Sequence, residues 1–405
     1  MEHTDSHDPR IARIRRAAIL FAIAGWLILI LGGFMSGGGG KQFFQSYLYA
    51  FLFWNGLSLG CLSLIMLHHL VAGRWGFMVQ RIAEAGAKNL LVMAVLFVPI
   101  LLFGLWTIYP WAPGGALADS ELVQSKAAYL NTRGWMLRAC LYYAIWIGLM
   151  LFFTRTSLAQ DRSGDPALTV RMNKAAGPGL VAYVLTVTFM ATDWAMSLEP
   201  EWFSTIYGPL FIVCHGLTTL AFCIVMLNVV ADRKPHADVM SVDYFHHLGS
   251  LTCGFVVLWA YMSFSQYLII WSGNLAEEVA WYKARSGNTL EGVAVILMVF
   301  HFALPLFILL QRRVKRARRA LVGMAFWILA IRTVDLYWII IPAFHPGVLG
   351  FNVMDAAAMF AIGGLWMAVF TWNLQRHPLL PLHDQRMQEA LGLNGHGHHE
   401  ALEHA

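Results

Sequence analysis

Ten apolar runs, each long enough to cross a bilayer, recur along this chain and leave little room for any fold other than a bundle of membrane helices. They lie near 17–35, 43–71, 88–110, 134–155, 178–197, 204–231, 244–272, 289–311, 320–342 and 353–374. Only 13% of the 405 residues are charged, against about 25% in a soluble domain. The fold class expected is therefore an all-α integral membrane protein of ten helices.

The basic residues orient those helices. With the N-terminus placed inside, 21 of the 28 Lys and Arg fall in inner segments and five in outer ones, while Arg138 and Arg332 lie within spans. The run RRVKRARR at 312–319 alone supplies six. Such a bias predicts both termini in the cytoplasm, with the bilayer as the first partner. The net charge of +5 follows from this topology and implies no nucleic-acid partner. The first run has a basic lead like a signal peptide, but no small-x-small cleavage site follows, so it is kept as a span. All five cysteines lie in spans without a CxxC pair and are expected to be packing residues.

No loop is long enough for a soluble domain, so 1–405 is expected to form one polytopic domain with a polar tail at 375–405 ending in HGHHEALEHA. That tail is expected to be disordered rather than metal-binding. An internal repeat runs through the spans. Shifted by 160 residues, span 2 lies on span 6, matching Tyr47/Tyr207, Phe51/Phe211, Gly56/Gly216, Leu57/Leu217, Met66/Met226 and Leu67/Leu227, with Asn55 on His215. Asp193 precedes Pro200 by seven positions at the end of span 5, and Asp335 precedes Pro342 by seven at the end of span 9. These matches predict two related four-helix bundles, spans 2–5 (43–197) and spans 6–9 (204–342), flanked by spans 1 and 10.

Ionisable residues inside a membrane are costly unless paired or solvated, so each is a functional candidate. In the outer half these are Arg138, Asp193, Arg332 and Asp335, with Glu291 and Asp355 at span starts. Asn55, His215 and His301 lie near mid-depth, and His68, His69, His246 and His247 lie at the inner edge. Arg332 and Asp335 are three apart and share a helix face. Asp193 and Arg138 lie at equal depth on successive spans and are expected to pair. Unpaired, Asp193 would have a raised pKa and could carry protons. His215 and His301 enter their spans to similar depth, which admits one b-type haem in principle. Only one such pair exists and no CxxCH occurs, so a hydrogen-bonded or relay role is preferred. Trp106, Trp111, Trp135, Trp194, Trp202, Trp271 and Trp281 are expected in an interfacial aromatic belt.

Three stretches carry a resemblance that spans essentially the whole chain. They are ATDWAMSLEPEWFSTIYGPLF (191–211), LWAYMSFSQYLIIWSGNLAEEVAWY (258–282) and RTVDLYW (332–338). They resemble the ActF-type membrane subunit of bacterial alternative complex III, a quinol:electron-acceptor oxidoreductase, and the wider NrfD/PsrC-like family of quinone-interacting membrane proteins. The family motif often has His where this chain has Glu201, so no outer-surface role carries over to that residue.

The resemblance implies a multi-pass protein of the bacterial inner membrane with ten spans in two four-helix bundles. It implies several partners: a related NrfD-like membrane subunit, a periplasmic iron–sulfur subunit, multihaem cytochrome c subunits and a terminal oxidase. Haem and iron–sulfur centres would belong to those partners. This chain would hold no redox cofactor, and its only ligand would be a quinone such as menaquinone, or a lipid. Its expected role is structural support with proton conduction through Asp193, Asp335, Arg138, Arg332, His215, His301, Glu291, His68, His69, His246 and His247. Two rivals are direct quinol oxidation in this subunit and a two-repeat secondary transporter.

Overall fold

The structure, a computed structural model, describes residues 9–35, 40–71, 73–232, 236–381, 384 and 387. The terminal HGHHEALEHA, Arg233, Lys234 and Arg386 lie outside the described residues. Among the described residues ten helices are long and apolar enough to cross a membrane, and there is no strand. The chain is built as a multi-pass membrane protein. The helices are α1 (Pro9–Met35), α2 (Lys41–Val71), α3 (Trp75–Ile108), α4 (Thr132–Ser163) and α5 (Pro166–Leu198). They continue with α6 (Tyr207–Val230), α7 (Val242–Gly273), α8 (Thr289–Leu310), α9 (Arg318–Ala343) and α10 (Val353–Leu374).

Several helices outrun their apolar sequence. The expected inner loop between spans 4 and 5 shrinks to two residues. Gly164 closes α4 in the left-handed region at φ 67°, and Asp165 caps α5 by accepting the Ala167 N–H at 2.9 Å. Pro166 follows at the first helical position, where its missing N–H costs nothing. Arg155, Arg162, Arg171 and Lys174 are therefore helical rather than loop residues. Likewise α3 begins well before its apolar run, with an amphipathic segment Arg74–Lys88.

Two helices depart from the regular ladder near a proline. A π-helical turn, Ile100–Gly104, follows Pro99 in α3, and another, Leu297–Ala303, precedes Pro305 in α8. Pro305 offers no N–H to the ladder and crowds the His301 carbonyl four residues back, so α8 widens there, whereas the turn after Pro99 lies beyond that proline's reach. Both α5 and α9 end in a 3₁₀ turn, at Met196–Leu198 and Ile341–Ala343.

Helices α2 and α6 form the centre. Between them they pack against α1, α3, α4, α5, α7, α9 and α10, and α6 is almost wholly buried. Small residues permit their approach. A Cβ on Gly56 would lie 2.6 Å from the His215 ring, and one on Gly60 would lie 2.5 Å from the His215 carbonyl oxygen. Without a hydrophobic drive between helices in lipid, such backbone proximity is what holds them. Helix α1 packs along α10, where Gly364 meets the α1 backbone at Ala18 and Ala22. Arg15 donates to Gln375 at 3.0 Å, so the start of α1 and the end of α10 share one face, called here the terminal face.

The aromatic belt is smaller than the sequence suggested. Trp111, Trp135, Trp194, Trp202 and Trp281 are buried, and only Trp106 and Trp271 of the seven candidates are exposed. Trp194 lies in a ring cluster, 4.3 Å from Phe97. Cys61, Cys214, Cys223 and Cys253 are buried and Cys140 is exposed, all of them free.

Candidate functional site

Asp193 sits at the end of α5 away from the terminal face, with no solvent exposure. Arg138 of α4 grips it with both ends of its fork, Nε donating to Oδ2 at 2.9 Å and Nη2 to Oδ1 at 2.8 Å. Tyr142 lies one turn along the same face of α4 and donates to Oδ2 at 2.6 Å. Trp135 Nε1 and Ser197 Oγ donate to the Asp193 carbonyl at 2.8 and 2.5 Å. The expected pairing is thus present, and the carboxylate is satisfied by charge-assisted bonds. Arg138 keeps about a fifth of its side chain exposed, with its guanidinium 4.0 Å from the Tyr129 ring centroid. Burial, and secondarily the Asp193 charge, push the Tyr129 phenol above its ordinary value.

The second acid, Asp335 of α9, pairs with Arg332 one turn back. Both are buried. Asp335 Oδ2 also accepts from Trp259 Nε1 of α7 at 3.2 Å and lies 3.9 Å from the Cys214 thiol of α6. Arg332 Nε donates to Thr218 Oγ1 at 3.4 Å. On one side His215 has Nδ1 3.3 Å from the Tyr183 hydroxyl. A cavity of about 10 Å³ touches Gly56, Cys214, His215, Thr218 and Arg332, roughly the space of one water molecule. On another side, His301 stacks edge-on against Trp259, ring centroids 4.0 Å apart. His301 is fully buried within the π turn, and neither ring nitrogen bonds to a described residue.

The His215 ring is closed in by α2 at Gly56 and by Tyr183, with the water-sized cavity on its open side.

Beside Asp335 opens a groove of about 890 Å³ between α7, α8, α9 and the 275–287 connection. Trp259, Gln266, Trp281, Tyr282, Phe302, Asp335 and Trp338 line it, and the exposed Tyr261, Phe264 and Met298 mark its lateral rim. Arg285 stiffens its wall. That guanidinium donates to Glu199 at 2.9 and 3.2 Å and to the carbonyls of Trp281, Trp338 and Ile339. It lies 3.6 Å from the Trp281 ring centroid. Burial pushes the Tyr282 phenol to about 12. Arg285 is one of the five basic residues expected in outer loops, a placement that shows neither groove nor bridge. The Trp281–Arg285 spacing, one helical turn, was the one available signal.

A third group lies near the terminal face. Arg81 of α3 pairs with Glu84 at 2.5 Å and with Asp161 of α4, and also donates to Ser157 at 3.0 Å. Gln80 bridges Glu84 and Ser157 at 3.0 and 3.1 Å. This group also escaped the sequence reading, because the apolar run of span 3 begins only after it. His68 and His69 were expected at the inner edge, but both are buried, His68 stacking on Phe77 at 4.6 Å beneath the first segment of α3. His246 is half-buried and His247 exposed, next to the basic 312–316 turn. Glu291 is exposed and accepts the Gly287 N–H at 3.3 Å, so it caps α8. Asp355 caps α10 and accepts from Ser46 Oγ at 2.6 Å.

The structure therefore joins Arg138 with Asp193, gathers Arg332, Asp335, His215 and His301 around one centre, places Glu291 on the wall of the groove beside Asp335, and leaves His246 and His247 apart from both. Neither protein-family models nor curated proteins match this chain.

Proposed function

We propose that this chain is a membrane subunit of a respiratory quinol:electron-acceptor oxidoreductase of the alternative complex III kind. In it the chain supports the assembly and conducts protons without a redox centre of its own. The observation that carries this reading is the duplicated buried carboxylate–arginine pair, Asp193–Arg138 and Asp335–Arg332, each near the same end of α5 and α9. Two groups that must stay charged in an apolar interior are costly, and a pair kept for support alone could be replaced by apolar packing. Arg332 and His215 share a water-sized cavity, and His301 packs on the Trp259 ring whose Nε1 donates to Asp335, the kind of parts a proton path needs.

In this reading 43–197 and 204–342 are two related four-helix bundles, the terminal face is cytoplasmic, and protons pass between the outer acids and the interior histidines. Support comes from the central placement of α2 and α6 and from the matching 3₁₀ ends of α5 and α9. The resemblance at 191–211, 258–282 and 332–338 supplies the family and partners. The test is Asp193→Asn and Asp335→Asn in the assembled complex. Membrane-potential formation is expected to fall more than electron transfer. Normal coupling in both variants would sink the proposal.

A second reading has its own support. The groove beside Asp335 has the volume of a small-molecule site, an apolar wall and a carboxylate at depth. It would accept a quinol from the side, with Asp335 as proton acceptor. Quinone bound to the purified chain, and displaced by Val295→Trp in the groove wall, would favour this reading. Absence of bound quinone removes it.

A further inference from the structure

A smaller groove lies apart from both acid centres, between α4 and α5 near the terminal face. Its volume is about 500 Å³, and Phe152, Ala167, Val170, Arg171, Lys174 and Ala175 line it. Two features make it more than a gap between helices. First, Arg171 and Lys174 are both exposed and neither has an ion-pair partner among the described residues. The nearest acid in sequence, Asp165, has its carboxylate engaged in capping α5. Second, Arg171 lies over the Phe152 ring at 5.3 Å, so its charge is held against the apolar floor. Above the groove α5 presents Val181, Val184 and Leu185 outward, a continuous apolar track leading away from the two cations.

We infer that this groove holds an anionic phospholipid. The phosphodiester would be met by Arg171 and Lys174, and one acyl chain would lie on Phe152 and Val170 and along the outer face of α5. A phosphate oxygen matches an arginine fork and a lysine ammonium, and cations at a helix end near the headgroups attract acidic lipids. The apolar walls distinguish a lipid from a free phosphate, which gains nothing from them. The basic run at 312–316 carries more charge, but there Arg316 is paired with Asp243. The inference stands independently of the proton-conduction proposal.

The experiment is native mass spectrometry of the purified full-length chain with added phosphatidylglycerol, phosphatidylcholine or inorganic phosphate. The wild type should retain phosphatidylglycerol over phosphatidylcholine. Arg171→Gln with Lys174→Gln should lower that retention about 10- to 30-fold. Val170→Trp, which fills the groove and leaves both cations, should lower it comparably and carries the test if the double variant does not fold. Arg312→Gln with Arg313→Gln, an equal charge loss elsewhere, should leave it unchanged. Retention lost equally in that control, retention kept in Val170→Trp, or inorganic phosphate bound as well as the lipid would each overturn the assignment.

Discussion

At the scale of single residues, the acid in an oily helix is explained by what grips it. Asp193 is fully buried, yet its carboxylate oxygens accept three bonds, from Arg138 twice and Tyr142 once. The attraction within such a pair mainly repays desolvation, so deleting one partner is worse than deleting both. Arg138→Met should therefore cost about 3–5 kcal/mol by stranding a buried charge. Arg138→Met with Asp193→Leu should recover most of that loss. Thermal unfolding in detergent checks both, and a double variant no better than the single would show that the pair is not what the carboxylate depends on. The same logic explains Trp194. Its neighbours Phe97, Tyr143 and Trp146 surround it with rings, so it is a core residue and not a lipid anchor.

At the scale of elements, close helix contacts and a proline-induced turn set the site. Gly56 and Gly60 on α2 leave room for His215 and Thr219 on α6 to meet the α2 backbone. Gly60→Leu must push α6 away, and overpacking of this kind costs about 1–3 kcal/mol or more. It is expected to lower the melting temperature and the yield of folded chain. Gly148→Leu, where a Cβ meets nothing within 4 Å, should be tolerated. Equal behaviour of the two variants would mean that the α2–α6 approach is not limiting. The π turn of α8 does related work for His301, whose ring it presents to Trp259. Pro305, four positions later, is visible in the sequence, but the widened turn it accompanies is a property of the folded helix.

At the scale of the whole molecule, the segment 193–203 acts as a strap. Asp193 is bound to α4, and the Pro200 carbonyl accepts from Lys126 at 2.7 Å. On the other side Glu199 meets Arg285, Trp202 donates to the Glu278 carbonyl at 3.1 Å, and the Trp202 and Trp281 rings stack at 5.1 Å. One short segment thus ties the α4 side to the wall of the large groove. Arg285→Lys keeps the charge but not the fork. It should lower the melting temperature and speed tryptic cleavage after Lys283 in the 275–287 connection. Unchanged cleavage would show that the strap does not depend on that fork.

Amino-acid order alone determined the ten helices, because runs of this length and apolarity have no other way to satisfy their backbone in lipid. It also determined the two acid pairs, because charges at matched depth in an apolar medium have few partners to choose from. It did not determine which tryptophans are buried, since lipid and protein interior are equally apolar and leave the same mark on a helix face. Nor did it reveal Gln80, Arg81 and Glu84 as interior residues. An amphipathic segment at a membrane edge has the same composition whether its polar side meets water or, as here, Ser157 and Asp161 of α4. The groove beside Asp335 and the Arg285–Glu199 bridge join residues 86 positions apart, and only the packing of α7, α8 and α9 against the strap brings them together.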